Sequence, residues 1–203
     1  MRRCSWRSGL VDALELTAPR AISQPWLRRI IEEGSALTKV LTDRYVARID
    51  KPATKIYLAG PLFTVAEQNF NAALARFLES QGFAVWLPQE LEPRRKTAKA
   101  IFQMDVEALD WADMVIACMD GPDPDSGTAW ECGYAFAKEK PIVCYRTDFR
   151  LSGDIKGAPY NLMLSESATS RFEVPFKTKS SEFHKRLVDH IRKALKVKQT
   201  RRR

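Results

Sequence analysis

The sequence predicts an α/β domain, a doubly wound parallel sheet covered by helices on both faces, preceded by an N-terminal extension. Three observations carry this. From Lys55 onward, short apolar runs alternate with segments of helical periodicity. The runs are apolar throughout, as strands buried on both faces are. The chain of 203 residues, 45% hydrophobic and 29% charged, suits one medium domain with appendages. Its central apolar run, Met114 to Met119, is far short of the roughly 20 residues that span a bilayer, so a membrane helix is not expected.

Taken in order, Lys55–Ala59 reads as a strand, stopped by Gly60-Pro61. Thr64 and Glu67 have the spacing of a capping box, and Phe70, Leu74, Phe77 and Leu78 continue a helix up to Gly82. Phe83–Leu87 is a second strand, followed by a polar, basic loop over 88–100 that is expected to be mobile. Helical spacing resumes over 101–112, and Met114–Cys118 is the third strand. An Asp/Gly/Pro loop then leads to a helix over 128–138 and a fourth strand over 141–145. Arg171–Val174 is a short fifth strand, and Phe183, Leu187, Ile191 and Leu195 mark one face of a last helix over 181–195. Residues 1–53 offer one helix, 25–33, stopped by Gly34. The divisions are an extension over 1–53, an α/β domain over 54–196 and a basic tail over 197–203.

The net charge of +8 is unevenly spread: +4 over 1–53, −5 over 54–173 and +9 over 174–203. The middle is acidic, so the basic ends read as solvated termini and nucleic acid is not expected as a partner. Cys4, Cys118, Cys132 and Cys144 form no Cys-x-x-Cys pair, and His184 and His190 sit near the end. Neither a disulfide framework nor a zinc site is expected, and a reducing, cytoplasmic setting is. The basic N-terminus lacks the apolar run of a secretory signal.

Ligands in such sheets bind beyond the carboxyl ends of the strands, at a topological switch point, so the loops after Ala59 and Cys118 matter most. Asp125 and Glu131 flank a small-residue turn that opens a helix, where amide groups favour a carboxylate anion. Such an anion facing a cleft can act as a nucleophile. The plainer expectation is that Thr128 caps the helix and Glu131 closes a capping box three residues on. Likewise Asp105 can be a surface acid on its helix, and Tyr57 a core aromatic. Spacing alone reaches a cleft with acids and goes no further.

Three segments together carry a resemblance: Ile56-Tyr57-Leu58-Ala59-Gly60-Pro61-Leu62-Phe63, Asp125-Ser126-Gly127-Thr128-Ala129-Trp130-Glu131-Cys132-Gly133-Tyr134-Ala135 and Pro159-Tyr160-Asn161-Leu162-Met163-Leu164. In order and approximate spacing they resemble the nucleoside 2-deoxyribosyltransferase family over about residues 54–195. The resemblance implies a flavodoxin-like, five-stranded, three-layer fold that moves 2-deoxyribose from one purine or pyrimidine to another. It further implies that Glu131 is the nucleophile at C1′, that Tyr57 holds it, and that Asp105 manages the proton of the base. By the same resemblance Phe63 lies beside the base, Asp125 binds the hydroxyl end of the sugar, and Gly60, Gly127 and Met163 lie in the substrate site. Asn161 would be donated by a neighbouring subunit, so a homo-oligomer, dimer-based or hexameric, is expected. The partners implied are a 2′-deoxyribonucleoside and a free nucleobase, with no cofactor and no metal.

Two other readings stay open. Relatives of the same fold hydrolyse nucleoside 5′-monophosphates, with small hydroxyl residues about the phosphate. Here Asp125 would repel such a dianion, although Ser126 adjoins it. A non-catalytic nucleoside sensor would need Glu131 to be a cap alone.

Overall fold

The computed structural model describes residues 53–90 and 97–201. Five strands, β1 (Lys55–Ala59), β2 (Ala84–Trp86), β3 (Met114–Cys118), β4 (Ile142–Arg146) and β5 (Ser170–Glu173), form one sheet in the order β2-β1-β3-β4-β5. Every pairing is parallel, with Tyr57 opposite Trp86 on one side and Val115 on the other. This is the flavodoxin-like order, and its reversal of direction falls between β1 and β3.

The helices are α1 (Val65–Ser80), α2 (Ala98–Trp111), α3 (Ser126–Ala137), α4 (Leu162–Ser167) and α5 (Ser180–Arg201). Because successive side chains of a strand point to opposite faces, the sheet divides its apolar residues between two cores. Ile56, Leu58, Ile116 and Tyr145 pack with Leu74 and Leu78 of α1 and Phe183, Leu187 and Ile191 of α5. Tyr57, Ala59, Val115 and Cys144 pack with Leu109 of α2, Cys132 of α3 and Leu164 of α4. The path β2–α2–β3 recrosses the sheet, which puts α2 opposite α1 and opens the switch point above β1 and β3.

Local sequence explains most boundaries. Thr64 accepts from the Glu67 amide, and the Glu67 carboxylate accepts from the amides of Thr64 (2.8 Å) and Phe63 (3.0 Å), so the expected capping box forms. Gly82, at φ +87, turns the chain into β2. Thr97 caps α2, which therefore starts three residues earlier than hydrophobic spacing alone suggests. Residues 88–90 form a single 3-10 turn, so the loop expected over 88–100 is in part ordered, and residues 91–96 lie outside those described. The expected helix over 25–33, with the whole of 1–52, also lies outside them. Helix α5 runs to Arg201, past Leu195 and into the stretch expected to be a solvated basic tail.

Two elements depart from the sequence reading. α4 was not expected, because six residues in the Pro159–Leu164 motif are too few to display a period; Asn161 starts it by accepting from the Met163 amide at 2.9 Å. The N-cap of α3 is Asp125 and not Thr128, whose own amide donates to the Asp125 carboxylate at 2.9 Å. Glu131 thus falls in the second turn of α3 and closes no capping box. A carboxylate placed one turn earlier reaches the free amides first.

Leu187 is fully buried between α5 and the sheet. L187A is expected to destabilise the domain by about 2–5 kcal/mol, read by urea unfolding, through lost burial and the cavity left behind.

Candidate active site

Tyr57 is the third residue of β1, and its side chain faces the α2–α3 core. The ring is fully buried, and its hydroxyl donates to Oε1 of Glu131 at 2.5 Å. That is a short, charge-assisted bond. Asp105, on α2, is near enough to the same hydroxyl to act on it and to raise the pKa of Glu131 by its charge. Asp125 acts on Glu131 in the same sense. The structure therefore brings together Tyr57, Asp105, Glu131 and Asp125, from β1, α2, α3 and the loop after β3.

Electrostatics follow from crowding and burial. Burial pushes the Glu131 carboxyl up to about 7, helped by the charges of Asp105 and Asp125 and opposed by the Tyr57 hydrogen bond. Burial also raises Asp105, again against the Tyr57 hydroxyl. The Tyr57 hydroxyl itself is held far above its ordinary range, by burial and then by the charge of Glu131, so it is a permanent donor.

Beside this group, at the carboxyl ends of β1 and β3, lies a cleft of about 490 Å³. Phe63, Phe70, Asn71, Cys118, Asp120 and Asp125 are among its walls. Glu67 and Asp123 add two further carboxylates, and among the described residues no lysine, arginine or histidine lines it. Phe63 is 74% exposed and so available to stack on a flat ring. Gly60 is needed at the switch point, since a Cβ there would stand 3.2 Å from that of Cys118. At Gly127 a Cβ would crowd Oδ2 of Asp125 at 3.1 Å. Asn161 and Met163 do not line the cleft: Asn161 donates to Asp154 and caps α4, while Met163 is 72% exposed.

A family model for nucleoside 2-deoxyribosyltransferase matches residues 56–163, more than half of the chain. The chain belongs to this family. Among solved structures it is similar to a conserved protein from Enterococcus faecalis V583, with 27% identity, a TM-score of 0.56, and coverage of 69% of this chain and 98% of that one. A 2-deoxyribosyltransferase from Bacillus psychrosaccharolyticus is 29% identical over 59% of this chain and 86% of its own, with a TM-score of 0.49. An uncharacterized protein of Schizosaccharomyces pombe is 37% identical over 67 residues, 31% of this chain. The match spans 32% of that curated relative's length.

Several residues that shape the site escaped the sequence reading. Asn71, buried in α1, donates to the carbonyl of Pro61 at 2.9 Å, and Gln68 donates to that of Leu62 at 2.8 Å, so the Gly60–Phe63 loop is fastened from the helix that follows it. Asp120 accepts from the amides of Thr147 (2.5 Å) and Asp148 (2.9 Å), tying the β3 loop to the β4 loop. Arg146 ends β4 fully buried. The one sequence signal for it was a cation closing an apolar run. Among the described residues no three His, Cys, Asp or Glu side chains are placed to hold a metal, and no helix is long and apolar enough to cross a membrane.

A carboxyl whose pKa is raised on folding adds stability below its unfolded pKa, and that stability is lost as pH rises through the folded value. For Glu131 the window runs from about 4.5 to about 7. E131Q is expected to gain stability over wild type as pH rises across it, by no more than about 3 kcal/mol since solvent at the exposed edge screens the charge. Thermal unfolding at pH 5 and pH 8 measures the difference.

Proposed function

We propose that the protein transfers the 2-deoxyribosyl group of a 2′-deoxyribonucleoside from one nucleobase to another by double displacement. The observation that carries this reading is the Tyr57–Glu131 hydrogen bond: it occupies Oε1 and leaves Oε2 with no donor among the described residues. Held in this way, the carboxylate has one oxygen free to attack an anomeric carbon. Asp105, whose pKa burial raises, supplies the proton. It protonates a ring nitrogen of the departing base, the C1′–N bond breaks, and Glu131 stabilises the oxocarbenium-like carbon before closing an ester on it. A second base then attacks C1′ from the face that the first vacated. The ester bond breaks, Glu131 leaves as the carboxylate, and the proton of the incoming base returns to Asp105. Configuration at C1′ is retained, and water as acceptor gives hydrolysis as a side reaction.

The reacting form has Glu131 ionised, as the Tyr57 hydrogen bond favours, and Asp105 protonated. Four carboxylates among the described residues of the cleft favour a free nucleoside over a 5′-monophosphate. Asp125 is suited to accept from the 5′-hydroxyl, with Phe63 against the base. By the family resemblance Asn161, which caps α4 away from the described cleft walls, completes the site of a second copy in a homo-oligomer. Ser126, exposed in the first turn of α3, is the feature that favours the alternative, hydrolysis of 5′-monophosphates.

Mixing the protein with 2′-deoxyinosine and adenine and separating the products by liquid chromatography tests this. Formation of 2′-deoxyadenosine with hypoxanthine is expected, as is its loss by at least about a thousandfold in E131A. Free deoxyribose alone would mark a hydrolase, and no turnover with purines or with thymidine and cytosine would leave a binding role. The pH profile of kcat/KM is expected to be bell-shaped. Since the Tyr57 hydroxyl favours ionised Glu131, Y57F should shift the acid limb to higher pH.

A further inference from the structure

We infer that Arg146 is a positioning residue for the substrate cleft, its buried guanidinium clamping the loop after β3 to the loop after β4. This rests on the proposed function only in so far as the cleft is where the nucleoside binds. The side chain is fully buried at the end of β4. Nη1 donates to the carbonyl of Met119, and Nη2 to the carbonyls of Gly121 (3.0 Å) and Arg150 (2.9 Å) and to Oγ of Ser152 (3.2 Å). Met119 and Gly121 open the segment that carries Asp120, Asp123 and Asp125. Arg150 and Ser152 belong to the segment that leads to Asn161, and Ser152 in turn donates to the carbonyl of Pro159 at 3.0 Å.

A cation in such a place is not explained by stability alone. Burying a guanidinium costs several kcal/mol, which an apolar side chain of similar volume would avoid. Part of its capacity is also unused, because Nε is buried without a partner and the nearest carboxylate oxygen of Asp148 stands 3.8 Å away. The planar fork instead fixes direction: it gathers main-chain carbonyls from two irregular loops, which no ladder of sheet or helix would otherwise align. Gly121, at φ +102, adopts a conformation that other residues rarely reach while its carbonyl faces the fork. Asp120 completes the clamp from the opposite side by accepting from Thr147 and Asp148, and both Asp120 and Thr147 line the cleft. Aperture and acid placement thus depend on one buried side chain that touches no substrate.

The test uses the full chain with R146K, R146M and R146A, and two readouts. In hydrogen exchange, R146M should loosen 119–125 and 147–160 together, by about tenfold or more, while β1, α1 and α5 keep their protection. In base exchange, KM for the nucleoside should rise about tenfold with a smaller change in kcat, as uniform binding is lost and the Tyr57–Asp105–Glu131 group stays intact. Millimolar guanidinium should restore both readouts in part to R146A. If R146M does not fold, R146K, which keeps the charge and loses the fork, should show the same pattern. Uniform loosening of the whole domain, equal loss in KM and kcat, or no rescue by guanidinium would overturn the inference. A wild-type protein that exchanges no bases would instead sink the proposed function, and the clamp would then stand or fall on the hydrogen exchange of the two loops.

Discussion

A short hydrogen bond from the buried Tyr57 hydroxyl to Glu131 is the interaction around which the site is organised. Asp105 and Asp125 both act on Glu131 through their charges, an arrangement that repulsion and desolvation both oppose. The donor that offsets part of this comes from the middle of a central strand, where backbone pairing on both sides leaves Tyr57 no freedom to turn away. Burial keeps its proton in place at any ordinary pH. The same burial that costs stability raises the carboxyl pKa of both Glu131 and Asp105.

The sheet provides rigidity, but the cleft is built from loops. Three sets of polar contacts hold those loops: Gln68 and Asn71 on the Gly60–Phe63 segment, Asp120 on Thr147, and Arg146 on the carbonyls that follow β3. Each reaches from one loop or helix to the next, so the walls of the cleft are fastened to one another as well as to the strands. Asp125 has two duties in this scheme, as cap of α3 and as a charge beside Glu131. Its carboxylate is fixed by the Thr128 amide, so the cap sets where the acid points.

Charge separates by position. Acidic groups gather at the cleft, while the excess of Lys and Arg lies in the chain's two ends, with +9 over 174–203. The net charge of the whole chain, read alone, would suggest polyanion binding. The four carboxylates of the cleft are what the proposal of a neutral, hydroxyl-bearing ligand rests on, because hydroxyl donors satisfy carboxylates without bringing further negative charge.

The sequence by itself determined the five strands, the parallel class of the sheet and the helices α1, α2, α3 and α5, because apolar runs and helical spacing are local signals that burial on both faces enforces. The three motifs also carried the family, since their residue types and spacing survive without coordinates. Tertiary structure decided what depends on the meeting of distant segments. Tyr57 and Glu131 are 74 positions apart, and Arg146 meets Met119 across 27. Neither contact has a local signature. α4 was too short to show a period, and the choice of Asp125 over Thr128 as the cap turned on which oxygen reached the free amides in space. Patterns along a chain record which face is buried, and only the folded backbone fixes which polar groups face each other at the carboxyl end of the sheet.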